Sequence, residues 1–220
     1  MTGLPFPKAL RQMSAEALSA LCLALQQHMA KAYAGQPSLL HSLAATALTL
    51  ALHRVFRAPY EAVLFEKEAH ALAHRLLTGW QPGFASPSQA PHPEDCFNAS
   101  HGPWALAHAA KLLEARKLSG HAGKVVAILE EKRPLHKESF EALSQPGAAD
   151  LPWVLVLARE GEGEEAFLPK PALAAFFGSL GFWLWPTLDG SHLGDMEAAL
   201  RQAKQAHKAV VVHVRLVSPI

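Results

Sequence analysis

The residues that frame a phosphate site in this sequence are the wrong types to hold phosphate. In Lys124–Leu143, KVVAILEEKRPLHKESFEAL, a β-branched apolar run passes through a tight turn into a helix with apolar Phe140 and Leu143. That is the layout of a nucleotide- or diphosphate-binding unit, in which glycines let backbone N–H groups approach the ligand at a helix start. Here the turn reads Glu-Glu-Lys-Arg-Pro. A carboxylate ~5 Å from a phosphate oxygen costs about 3 kcal/mol at an effective dielectric of ~20. Glu130 therefore opposes phosphate, and the side chain of Lys132 fills space that a glycine would leave open. Lys132 and Arg133 stand close enough in sequence to neutralise the acids, which predicts a solvated ion-pair cluster.

Other constellations carry chemistry by type. Glu66, His70 and His74 recur every four residues, and on a continuous helix they would place a carboxylate and two imidazoles on one face, a zinc-type set. The alternative is a polar helix face or an interface, because HALAH lacks the glutamate of H-E-x-x-H and Glu66 lies at the helix boundary. Asp189, Ser191 and His192 have the types of a hydrolytic triad, yet neighbours in sequence rarely point at one another as a triad requires. His101 and His108 share a helix face, which suits capping or packing. Phe182–Trp185, FWLW, with Phe176 and Phe177 nearby, reads as core or subunit contact.

The elements that must position these residues are helices first, then alternating strands and helices. Ser14 is a cap for a helix with Leu18, Leu21, Leu25 and Met29 on one stripe, and Gly35 stops it. Leu39–Val55 reads as one helix, apolar nearly all round. A short strand, Ala62–Phe65, precedes a helix over Ala69–Leu77. Residues 80–95 hold four prolines and form a loop. A helix follows, with Pro103 in its first turn and Gly120 near its end. Val125–Leu129, Trp153–Ala158 and Val210–Leu216 are continuous apolar runs, the mark of parallel strands covered on both faces. The fold class is α/β, a three-layer domain with a mainly parallel sheet.

Composition narrows the partners. With 220 residues, 50% of them hydrophobic, the chain can bury a sizeable core, and it reads as one domain over 1–220. A formal net charge of +1 gives no basic field for nucleic acid or a membrane surface. Cys22 and Cys96 are too few for a disulfide framework, and no segment has the length and apolarity of a signal or a bilayer span, so a reduced, cytoplasmic chain is expected.

Leu48–Gly79, LTLALHRVFRAPYEAVLFEKEAHALAHRLLTG, resembles the amino-terminal part of 1-deoxy-D-xylulose-5-phosphate synthase, a thiamine-diphosphate enzyme related to transketolase. The likeness resumes at FNASHGPWALAHAAKL, at GKVVAILEEKRPLHKESFEAL and at SLGFWLWPTLDGSHLGDMEAAL, covering most of residues 8–215 apart from a deletion after Glu160. It implies a thiamine-diphosphate-binding fold, with thiamine diphosphate and Mg²⁺ as the family's cofactor. The metal-binding aspartate of the family's GDG motif falls on Glu131, its glycines on Glu130 and Lys132, and the asparagine that completes the metal site on Glu160. The Gly-His-Ser that touches the cofactor falls on Ser100, His101 and Gly102. Family histidines fall on Ser38 and Ala69, while His74 keeps its place. The resemblance reaches only the first of the family's domains.

These replacements imply a degenerate, non-catalytic relative with no catalytic residues and no cofactor of its own. Glu131 and Glu160 remain oxygen donors that a bare Mg²⁺ could use. The expected work is association, as a homodimer through Leu39–Val55 and the helix after His101 or with a partner chain. The alternatives are one half of a split transketolase-like enzyme completed in trans, and a module binding another small molecule in the old cleft.

Overall fold

The structure, a computed structural model, describes residues 7–58, 60–79, 104–131, 137–161 and 169–218. Its centre is a parallel sheet. β1 (Ala62–Phe65), β2 (Val125–Glu130), β3 (Trp153–Glu160), β4 (Trp183–Leu184), β5 (Leu188–Asp189) and β6 (Val210–Leu216) are arranged in the order β1-β2-β3-β6-β4, with β5 also pairing with β6. Val126 lies beside Val154, and Val154 beside Val210, so the three long runs are adjacent parallel strands as the sequence predicts.

Both sheet faces are covered, which is why these strands do not alternate apolar with polar. Val126, Ile128, Val154, Val156, Val210 and Val212 point to one side, against α4 (Thr46–Val55) and α9 (Leu193–Gln205). Val125, Ala127, Trp153, Leu155 and Val211 point to the other, against α6 (Ala105–Leu118), α7 (Lys137–Ser144) and α8 (Lys170–Ser179). Successive residues face opposite ways, so a strand buried on both sides must be apolar throughout. Outside α4, a further cluster joins α1 (Pro7–Leu10), α2 (Ala15–Ala32), α3 (Leu39–Ala44) and α5 (Leu72–Leu77) through Leu10, Leu18, Leu25, Met29, Leu43 and Leu76. Ser14 caps α2 by accepting from the Ala17 N–H at 3.2 Å.

Leu39–Val55 is not one regular helix. It divides into α3 and α4 at Ala45. The hydroxyls of Ser42, Thr46 and Thr49 donate to the carbonyls of Ser38, Ser42 and Ala45, and such back-bonding loosens and bends a helix. Nor does α4 leave apolar surface for a partner: Ala47, Leu48, Leu50, Ala51, Leu52 and Val55 are all buried by this chain. Among the described residues no helix is long and apolar enough to cross a membrane.

Candidate functional site

Parallel strands gather their last residues along one edge of the sheet, where α/β proteins bind ligands. Glu66 and Lys67 follow β1, Glu130 ends β2 with Glu131 next, and Glu160 ends β3. His41 comes from α3 and His70 from the 3-10 turn Glu68–Ala71. Lys67 holds the group together. Its Nζ donates to Glu130 Oε1 at 2.8 Å and reaches both oxygens of Glu160, at 3.2 and 3.3 Å.

Glu160 has further partners. His70 donates from Nε2 at 2.5 Å, and His41 donates from Nδ1 to the other oxygen. Burial pushes the Glu160 carboxyl up, but the His70 hydrogen bond and the charges of His70, Lys67 and His41 outweigh it and hold the pKa down at about 2. Glu66 accepts the backbone N–H of Glu130 at 2.8 Å.

Glu131 belongs to a second network. His213 on β6 donates from Nε2 to Glu131 at 3.0 Å, and its Nδ1 lies 2.9 Å from the Thr187 hydroxyl. A carboxylate only accepts, so Nε2 carries a proton toward Glu131. Arg159 lies 4.0 Å from the same carboxylate. The two family metal positions, Glu131 and Glu160, thus turn to different partners, and among the described residues no group of three or more His, Cys, Asp or Glu side chains is placed to hold a metal ion.

Several expectations are corrected by this geometry. The acids are not a solvated cluster: Glu130 is 8% exposed, Glu131 2% and Glu160 7%. Strand ends packed under helices exclude water, and among the described residues Lys67 meets Glu130 and Glu160 while Arg159 lies near Glu131, whereas Lys132 and Arg133 lie outside the described residues. Glu66, His70 and His74 do not share a continuous helix, because Glu66 precedes the turn and α5 starts only at Leu72. Glu66 turns to Glu130 and His70 to Glu160, while His74 Nδ1 lies 2.7 Å from His53 Nε2 in a stacked, buried pair. Asp189 and Ser191 form a turn, in which the Ser191 N–H and hydroxyl donate to Asp189 at 2.9 and 2.7 Å, and Arg215 pairs with the same carboxylate at 2.6 Å. His192 adds only its backbone N–H, to the Asp189 carbonyl. Ser100, His101 and Gly102 lie outside the described residues, and His108 is exposed. Of the aromatic group, Phe182 is core, whereas Trp183 is 58% exposed against Trp185.

A family model described as 1-deoxy-D-xylulose-5-phosphate synthase matches residues 1–162. The chain belongs to the 1-deoxy-D-xylulose-5-phosphate synthase family. The 1-deoxy-D-xylulose-5-phosphate synthase of Myxococcus xanthus is 34% identical over 227 residues, covering 94% of this chain and 39% of that protein. The enzyme of the same name from Treponema pallidum is 24% identical over 277 residues, with 99% of this chain and 44% of that protein covered. The chain thus spans about two-fifths of the length of these curated relatives. Transketolase from Campylobacter jejuni shares the fold, with a TM-score of 0.67 at 19% identity over 92% of this chain and 38% of that one.

Within this member of the 1-deoxy-D-xylulose-5-phosphate synthase family, sequence reasoning missed Lys67, His41 and His213 as parts of the strand-end networks. Lys67 had a usable signal: it follows a predicted strand, as Glu131 does. His41 and His213 carried none, one being a helix residue and the other sitting inside an apolar run.

Proposed function

We propose that this chain has no thiamine-dependent catalysis of its own and works by association, as a homodimer or with a partner chain. The observation that carries the reading is the Lys67 ammonium set between Glu130 and Glu160. Thiamine diphosphate with Mg²⁺, the group that the family resemblance implies, does not suit these residues. A magnesium diphosphate needs free oxygen donors for the metal and open N–H groups for the phosphates. Here an ammonium uses the oxygens of Glu130 and Glu160, and the Glu130 N–H already donates to Glu66.

Association is supported by large apolar side chains left in solvent. Leu118 is 90% exposed at the end of α6, Trp104 46% at its start, and Leu40 52% in α3. Apolar groups of this size gain by burial against another surface. The reading is tested by calorimetry of the unmodified chain with thiamine diphosphate and Mg²⁺. No measurable heat is expected; micromolar, metal-dependent binding would overturn it.

A second reading, a module for another small molecule in the old cleft, is favoured by a cavity of about 510 Å³ lined by Arg159, Lys170, Thr187, Asp189 and Arg215. Arg159, Lys170 and the Thr187 hydroxyl suit a small anion, beside an Arg215 whose charge is already met by Asp189 at 2.6 Å. A thermal-shift screen with sugar phosphates tests it, since a ligand that binds only the folded chain raises its melting temperature.

A further inference from the structure

We propose that this chain dimerises through the carboxyl end of α6, with Leu118 of each copy seated in a cavity beside α6 of the other. This rests on the association reading and deepens it by naming the surface. The cavity, of about 140 Å³, lies between α6, α7 and the segment 145–151, at the edge of the sheet where β3 begins. Ala110, Ala142, Ala148 and Trp153 line it and are themselves buried, so its floor is apolar. Glu114 and Lys117 also line it and are exposed, which sets two opposite charges at its rim, one turn apart on α6. An apolar cavity of ~150 Å³ accepts a benzene ring, so this one has room for a leucine side chain. Leu118 lies one turn past Glu114 on the same side of the helix and is 90% exposed, so its burial must come from another surface. Tyr60, 53% exposed, stacks on His121 just beyond Leu118 and adds a second apolar group at the same helix end.

The occupant is a second copy because packing and charge call for the same register. A side chain on one helix enters a hole made by residues i, i+3, i+4 and i+7 of its neighbour. Ala110, Leu113, Glu114 and Lys117 form such a set on α6, and three of them line the cavity. Two antiparallel copies of α6 that seat Leu118 at the centre of this hole also set Glu114 of each opposite Lys117 of the other. A slip of one turn in either direction would instead oppose Glu114 to Glu114 or Lys117 to Lys117, and like charges face to face repel. A twofold axis makes both contacts reciprocal, so one patch serves as knob and hole at once. The patch sits where β3 begins, whereas Glu160 ends that strand, so a dimer built here leaves the strand-end networks untouched.

The test is sedimentation equilibrium over a micromolar concentration series, on the unmodified chain, Leu118→Ser, Glu114→Lys, Lys117→Glu and the double variant Glu114→Lys with Lys117→Glu. All three positions are exposed, so the variants are expected to fold, and circular dichroism checks that they do. Leu118→Ser is expected to raise the dimer dissociation constant by about tenfold or more, as truncating a central anchor does. Each single charge reversal sets like charges across the twofold and is expected to weaken the dimer in the same way. The double variant exchanges the two charges and is expected to restore it, a rescue that only a reciprocal contact between copies gives. A dimer that none of the variants weakens would overturn the proposal and leave the association reading standing on another surface. Weakening by the single reversals that the double variant does not rescue would overturn it too. An unmodified chain that stays monomeric throughout would overturn it and leave a partner chain as the remaining form of association.

Discussion

Lys67 Nζ lies within 3.3 Å of both carboxylate oxygens of Glu160, ninety-three residues further along the chain. The contact joins the carboxyl end of β1 to that of β3 across β2, whose Glu130 completes it. A charge pair made this way stabilises the sheet edge only while every member is present, since a lone buried carboxylate has lost water without gaining a partner.

Removing the cation is therefore expected to destabilise the fold. Lys67→Met should lower unfolding stability in metal-free buffer by about 3–5 kcal/mol, the usual cost of breaking a buried pair, and Lys67→Arg by less. Urea denaturation measures both. A Lys67→Met midpoint equal to that of the unmodified chain would show the pair to be energetically idle.

The His53 and His74 pair predicts a pH dependence. Burial, then the neighbouring His74 and Arg11, holds the His53 pKa well below 6.5. The unfolded chain then binds a proton that the folded chain refuses, so this contribution is complete above pH 6.5 and is lost as the pH falls below it. The slope is at most ~1.4 kcal/mol per pH unit for one proton. Denaturation at pH 7.5 and pH 5 should show a larger loss for the unmodified chain than for His53→Gln. Identical losses would remove His53 as the source.

Gly190 is expected to resist substitution. A Cβ there would lie 2.6 Å from the backbone carbonyl of Arg215, which accepts the Gly190 N–H at 2.8 Å. Backbone cannot yield as a flexible side chain can, so Gly190→Ala should cost about 1–3 kcal/mol. A melting temperature unchanged within error would contradict this.

Restoring the family residues tests how much of the cleft's refusal is local. Glu130→Gly, Glu131→Asp, Lys132→Gly and Glu160→Asn together remove charge and bulk, and the variant is expected to gain Mg²⁺-dependent diphosphate affinity without turning over pyruvate. Calorimetry and a pyruvate-consumption assay read the two halves separately. Turnover by the variant would revive the enzyme reading.

Association as a homodimer is open to light scattering at micromolar concentration, where twice the chain mass of 23.7 kDa is expected. A mass near 23.7 kDa would leave a partner chain as the remaining form of the association reading.

The sequence alone determined the α/β class, the parallel strands β2, β3 and β6 and the Ser14 cap, because each rests on residues within a few positions of one another. Val125–Leu129 is apolar at every position since both faces are covered, and that needs no knowledge of which helices cover it. It also placed Glu130, Glu131 and Glu160 at strand ends and raised the conflict between acids and a phosphate frame. What it could not decide was partnership. Lys132 and Arg133 follow Glu131 directly in sequence, yet the cation that meets Glu130 and Glu160 is Lys67, because parallel strands align their carboxyl ends in space whatever their separation along the chain. For the same reason Glu131 and Glu160, a pair by family position, went separately to His213 and Lys67: the side chains of neighbouring strand ends are directed by pleat and packing, which only the tertiary structure sets.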